Sequence, residues 1–236
     1  MLMLELLTEL HWGAVAQIVA IDILLGGDNA VVIALACRNL PAQQRMRGVL
    51  WGTAGAILLR VLLVGFAVTL LHIPLLKLLG GLMLLWIGVK LMLPEADEHD
   101  IRPADRLLGA IKTIIIADFV MSLDNVIAIA GAAEAAQPEQ RIFLVIFGLL
   151  LSIPIIIWGS QLVLKLLTRF PAIIAAGAAL LGWIAGGLII SDPFTQKIKI
   201  RATPLAGYIA SVIGAVLVVV LGMAIKRRHS ARRGKS

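Results

Sequence analysis

Two short phrases place carboxylates where an apolar chain has little use for them: IDILLGGDNAVVIA at 21–34 and ADFVMSLDNVIAIA at 117–130. Asp22, Asp28 and Asn29 of the first correspond to Asp118, Asp124 and Asn125 of the second at a constant offset of 96. A carboxylate at the centre of a membrane helix costs about 2.5–3.5 kcal/mol on insertion scales, so four in register ask for a chemical use. Carboxylate and carboxamide oxygens are hard ligands, suited to Mg²⁺, Ca²⁺ or Mn²⁺ rather than Cu⁺ or Zn²⁺. Facing copies of Asp28-Asn29 and Asp124-Asn125 offer four side-chain oxygens, with unwound carbonyls and water to complete a shell. The structural alternative is that Asp and Asn cap half-helices at a break, a role that does not require the same phrase twice.

Asp22 and Asp118 stand six residues upstream of the Asp-Asn pairs. On an unbroken helix that spacing turns the two carboxylates about 120° apart. Either a break at Gly26-Gly27 brings them to one ion, or Asp22 and Asp118 form a second station for a hydrated ion or for protons. Arg60 falls in the middle of an apolar run and needs an acidic partner there. One of the four Asp residues is the expected partner, as a counter-ion of the empty site or as a structural pair. Its counterpart at the same offset is Ile156. Four carboxylates against one guanidinium leave a formal −3, which a divalent cation or protons offset. The acidic stretch PEADEHD (94–100) reads as a solvated loop that can gather cations. His11, His72, His99 and His229 show no ligand spacing with one another, and Cys37, the single cysteine, reads as a packing residue.

The elements that hold these residues follow from composition. Of 236 residues, 60% are hydrophobic and 15% charged, with a mean hydropathy of +0.99. The apolar runs are long and unbroken, which predicts an all-α polytopic membrane protein rather than a period-two barrel. Seven segments are predicted near 12–36, 48–71, 74–93, 108–133, 142–167, 172–191 and 206–225. Residues 1–11 lack the basic start of a cleavable signal, and 226–236 form a basic tail that reads as a juxtamembrane anchor rather than a nucleic-acid-binding segment. With that tail cytoplasmic and seven spans, the N-terminus is outside; fifteen Lys and Arg then lie inside and five outside, which favours this orientation.

The duplication extends beyond the acidic phrases. Gln44-Arg45 matches Gln140-Arg141 and Gly52 matches Gly148 at offset 96, while Trp86-Ile87 matches Trp183-Ile184 at 97. Three spans per copy is odd, so the second copy enters from the opposite side. The expected plan is an inverted repeat, 12–93 and 108–191, with an extra helix at 206–225. Transporters of that plan bind at the midplane between the repeats, on interrupted helices.

At LLGGDNAVVIALA (24–36) and SLDNVIAIAGAA (122–133), with the preceding Asp22 and Asp118, the chain resembles the TerC family of integral membrane proteins, in its YjbE-like branch. The resemblance spans approximately 12–225. It implies membership of the LysE-like transporter superfamily and an association with Mn²⁺ efflux and, in an older context, tellurite resistance. It also makes Asp22, Asp28, Asn29, Asp118, Asp124 and Asn125 the expected metal site. One departure is internal: Gly26-Gly27 becomes Ser122-Leu123 in the second copy, where Ser122 can supply an oxygen in place of a break.

The expectation is a multi-pass inner-membrane secondary transporter exporting a divalent cation, manganese favoured over calcium or magnesium, in exchange for protons. No resident cofactor, no nucleic-acid partner and no enzymatic activity are expected, since no nucleophile elbow, zinc-protease or P-loop motif is present. The partners are the metal ion and membrane lipid, and a homo-oligomer is compatible with the sequence. Two rivals stand beside this reading: an exporter of amino acids or other organic solutes, and a membrane accessory protein holding a structural ion.

Overall fold

Helix-breaking residues and charge set where the helices end. In the computed structural model, which describes residues 12–66, 73–93, 103–133, 141–170, 172–197 and 203–233, all regular structure is helical and no strand occurs among the described residues. The helices are α1 (Trp12–Cys37), α2 (Ala42–Gly65), α3 (Leu76–Met92), α4 (Pro103–Ala133), α5 (Arg141–Arg169), α6 (Ala172–Ile190), a five-residue α7 (Pro193–Lys197) and α8 (Pro204–Arg233). The 1–11 segment and the PEADEHD stretch lie outside the described residues.

Among the described residues, four helices are long and apolar enough to cross a membrane: α2, α5 from Phe143, α6, and α8 as far as Arg227. A fifth span is added if α1 is counted across its 47° bend between Trp12–Ile23 and Gly27–Cys37. The bend coincides with Gly26-Gly27, where the backbone gains freedom and loses side-chain packing. At 17 residues α3 is about 26 Å long, a little short of a hydrocarbon core, while α4 carries Asp105, Arg106, Lys112, Asp118 and Asp124.

Three helix ends differ clearly from the hydropathy reading, and the first is α2, which starts at Ala42, directly after Pro41, rather than at 48. α4 starts at Pro103, a residue well suited to the first turn, rather than at 108. α8 runs on through KRRHSARR, because Lys, Arg and Ala are good helix formers and cations suit a helix C-terminus.

The packing is interleaved. α1 lies against α5, α2 against α4, and α3 against α6, so each of the first three helices finds its main partner among the next three. α1 also contacts α4, and α8 covers α6 and α3. Two contacts repeat the sequence offset. A Cβ added at Gly52 would strike Ile114, and one added at Gly148 would strike Ile18; both members of each pair differ by 96 from their counterparts.

Outward faces carry large apolar side chains such as Leu58, Trp51 and Trp158, at 65%, 66% and 70% exposure. A surface of this kind is matched to lipid rather than to water. Inside the bundle, glycines let backbones meet. Gly186 sits against the backbone of Ala210 and Ser211, and Gly182 against Gly214, which forms the α6–α8 seam. Cys37 is buried in the apolar cluster with Leu40, Val49 and Ile114, so it packs as expected.

Asp192, buried after the end of α6, ties three segments together. Its Oδ1 accepts from the backbone N–H groups of Phe194 at 2.7 Å and Leu75 at 3.0 Å, and its Oδ2 from that of Leu78 at 3.1 Å. It thereby satisfies orphan donors at the start of both α3 and α7. Leu75 enters α3 with a left-handed φ of 69°, a conformation this cap holds in place. Burial alone would push the Asp192 carboxyl up, but the amides of Phe194, Leu78, Leu75 and Lys77 outweigh it and hold the group below its ordinary value.

Two outcomes follow for purified protein in detergent. Gly186→Leu should lose about 1–3 kcal/mol, read as a lower thermal midpoint, because its side chain would land on the α8 backbone; an unchanged midpoint would remove the seam from the account. Asp192→Ala should cost about 1–2 kcal/mol at neutral pH. The folded-state pKa of Asp192 lies below the unfolded value of about 3.9, so its contribution is complete above that pH and fades as pH falls through the folded value. Wild type and Asp192→Ala should therefore converge in stability only on the acid side. Parallel stability curves down to the lowest pH would contradict the ionised cap.

Candidate functional site

A guanidinium buried in apolar surroundings has to be surrounded by acceptors, and Arg60 is. It lies in α2 at 2% exposure, among the largest fully buried side chains of the described residues. Its Nη1 donates to Asp22 of α1, and its Nη2 to Asp118 Oδ1 of α4 at 2.5 Å. Its Nε donates to Ser122 Oγ at 3.1 Å, and Ser122 donates in turn to Asp118 Oδ2 at 3.2 Å. The second oxygen of Asp22 accepts from Ser152 of α5. Ser152 also lies 2.8 Å from the Leu149 carbonyl, and its single proton serves one acceptor at a time. Four helices thus meet at one charged knot, with Asp22, Asp118, Ser122 and Ser152 all buried.

The knot joins Asp22 and Asp118, which the sequence places at equivalent positions of the two phrases. Arg60 has two acidic partners where the sequence reading asked for one. Ser122, considered there as an oxygen donor, spends its hydroxyl between Arg60 and Asp118.

A different condition holds beyond the bend of α1. Asp28 Oδ1 and both polar atoms of the Asn29 side chain are buried and make no hydrogen bond to any described atom. Asn29 as a whole is 4% exposed. Thr53 of α2 is 2% exposed, and its Oγ1 is likewise without a partner among the described residues. Unmet polar atoms of this kind cost about 1–3 kcal/mol each unless water or an ion meets them. Asp28 remains within electrostatic reach of Arg60 and Asp118. Asn125 is half-buried. The side chain of Asp124 lies outside the described residues, and the expected pairing of Asp28 with Asp124 lies outside with it. Among the described residues no group of three or more His, Cys, Asp or Glu side chains is arranged around a metal position.

Ser152 and Thr53 are the site residues the sequence did not single out. The matching positions at offset 96 are Ala56 and Leu149, so neither stood out in a comparison of the two halves. The available signal was a lone hydroxyl in an otherwise apolar helix face, two residues before Pro154 in the case of Ser152.

The family model described as "Integral membrane protein TerC family" matches residues 7–230. Among curated proteins the chain is similar to the uncharacterized membrane protein YjbE of Bacillus subtilis (strain 168), at 46% identity over 175 residues, covering 74% of this chain and 78% of the relative. It is also similar to the uncharacterized membrane protein YceF of the same organism, at 25% identity, covering 77% and 72% of the two chains. The inner membrane protein YgdQ of Escherichia coli (strain K12) is 28% identical, with 69% and 73% covered. No solved structure matches the chain.

Ser152→Ala removes a donor to a buried carboxylate and should cost about 1–3 kcal/mol. Ser160, buried in the same helix, bonds among the described residues only to the carbonyl of Ile157 in its own turn, so Ser160→Ala should be near neutral. Thermal unfolding of the two variants side by side checks the contrast, and equal midpoints would mean that the Ser152 contact contributes nothing.

Proposed function

The chain belongs to the TerC family of integral membrane proteins, and from that premise we propose that it is a secondary transporter exporting a divalent cation across the inner membrane. Manganese is the favoured cation, a choice taken from the family resemblance; the oxygen donors suit Ca²⁺ and Mg²⁺ equally. In this reading all seven long helices are embedded, as two inverted three-helix repeats plus α8, with the N-terminus outside and the basic C-terminus in the cytoplasm. The interleaved pairs α1–α5 and α2–α4, and the offset-related contacts Gly52–Ile114 and Gly148–Ile18, support the repeat. A two-fold exchange of the halves turns each contact into the other.

The observation that carries the reading is the set of orphaned oxygens on the bent helix α1. Asp28 Oδ1 and Asn29 Oδ1 are buried in a protein interior without a described partner, beside a 47° bend. Oxygen donors at an interrupted helix are the membrane-protein form of a cation site. Asp28, Asn29, Asp124 and Asn125 would hold the ion, and Asp22 and Asp118 would form the station behind it. The repeats then rock about the site so that it faces the cytoplasm and the outside in turn. Protonation of the carboxylates on the outer side favours release and makes metal–proton exchange the natural coupling.

Purified protein in liposomes, challenged separately with Mn²⁺, Ca²⁺ and Mg²⁺, tests this directly. Mn²⁺ flux should be clear in wild type and fall by about a hundredfold in Asp28→Asn/Asp124→Asn, in line with the loss of essential ligands. Membrane abundance of the variant should stay near wild type. Absence of flux for every cation in wild type, or undiminished flux in the variant, would sink the proposal; loss of abundance in step with activity would favour a structural ion.

A further inference from the structure

Arg60 is the one charged residue of the site that breaks the duplication. At offset 96 it faces Ile156, a buried apolar residue packed among Leu164, Leu167 and Ala110. A purely structural pair would fit either half alone. The guanidinium instead takes Asp22 from the first phrase with one arm and Asp118 from the second with the other. Those two carboxylates are equivalent under the exchange of halves, so a cation bridging them lies close to the axis that relates the halves. A divalent ion bound symmetrically by the same two groups would lie on that axis too. Arg60 thus puts a tethered positive charge in the place that a carboxylate-bridging cation would take.

Charge conservation in a low dielectric gives this placement a role. Two carboxylates at 2% and 4% exposure cannot be left uncompensated while the protein changes shape. With an ion bound, compensation is supplied from outside. Once the ion has left, something must supply it if the carrier is to turn round empty. Asp28 Oδ1 and Asn29 Oδ1 complement this arrangement: each is buried without a hydrogen-bond partner among the described residues and is open to the ion itself.

We propose that Arg60 is a built-in substitute cation, bridging Asp22 and Asp118 in the ion-free carrier and yielding them when the transported cation loads, so that the empty carrier can reorient. Arg60 is a positioning residue in this scheme and never touches the ion. The inference rests on the transport reading and adds to it a specific step, the return of the empty protein. Loading of a 2+ ion beside a fixed guanidinium repels it from the acidic pair, so binding and displacement are coupled through charge.

The two halves of the cycle can be measured apart. Liposomes holding radiolabelled Mn²⁺ report net efflux into metal-free buffer, which needs return of the metal-free carrier whether or not Asp28 and Asp124 carry protons, and exchange against external Mn²⁺, which does not. Arg60→Met should retain exchange while net efflux falls by about tenfold or more, the size of a typical coupling. Arg60→Lys keeps a charge but has no fork to reach both carboxylates, and it should show the same shift of the ratio, less severely; it is the decisive variant if Arg60→Met does not fold. A merely structural arginine would lower both fluxes together. Proportional loss in both variants, or an unchanged ratio in folded Arg60→Lys, overturns the proposal. If wild type moves no Mn²⁺ in either mode, the transport reading itself fails and this inference falls with it.

Discussion

A guanidinium and two carboxylates held away from water dominate the energetics of this molecule. Each ion alone would cost several kcal/mol to bury, and the three are tolerable only because every arm of Arg60 ends on an acceptor and each Asp has a hydroxyl as well. The partners come from α1, α2, α4 and α5. α1, α2 and α4 cannot separate without stranding a charge, and losing α5 takes a hydroxyl donor from Asp22, so the knot imposes a common register on four elements at once. The apolar clusters on either side tolerate sliding by comparison, since one Leu contact replaces another at small cost.

Around the knot the fold answers the requirements of its solvent. In a hydrocarbon phase, burying apolar side chains gains little, so helices associate where backbones can approach closely. The seam of Gly182, Gly186 and Gly214 between α6 and α8 is built in that way, and the large apolar residues are turned outward. Polar groups beyond the seam are capped rather than left to lipid, as Asp192 does for the starts of α3 and α7. The rigid seam and the charged knot sit on different helices. α3, α6 and α8 form one packed unit, while α1, α2, α4 and α5 carry the charges.

Much of the site was legible in the residues because burying charge is so costly. Asp22, Asp118 and Arg60 announce one another: an arginine in mid-helix needs acid, and acids in duplicate need a cation. A local departure near Gly26-Gly27 was legible for the same reason, two adjacent residues without side chains, though the helix there bends by 47° and stays continuous rather than breaking. Ser152, Thr53 and Asp192 were not. Ser152 and Asp192 act through neighbours brought close only by the fold, 130 residues away for Ser152 and Asp22 and 117 for Asp192 and Leu75, and Thr53 is a lone hydroxyl whose burial only the fold reveals. Ser152 and Thr53 stand opposite Ala56 and Leu149, and Asp192 stands opposite Glu95 at offset 97, in an acidic stretch that reads as a solvated loop. The helix ends escaped for another reason. Hydropathy locates what lipid surrounds, while the ends of α4 and α8 follow from Pro103 and from the helix-forming character of a basic tail.

The departures from symmetry then carry as much meaning as the repeat. A perfect duplicate would present the same carboxylates to both sides of the membrane and would hold a cation equally well whichever way it faced. Such a site has no intrinsic way to exist empty. Arg60 opposite Ile156 supplies a charge on one half only, and Gly26-Gly27 opposite Ser122-Leu123 gives one half a bent helix and the other a hydroxyl that braces the guanidinium. The first difference contacts the acidic residues across helices and the second lies within two turns of them along the chain, whereas contacts such as Gly52–Ile114 and Gly148–Ile18 keep the offset intact. Under the proposed transport cycle, duplication would provide two equivalent sets of oxygen donors, and the asymmetry at their centre would provide the counter-charge that lets the set persist without its ion.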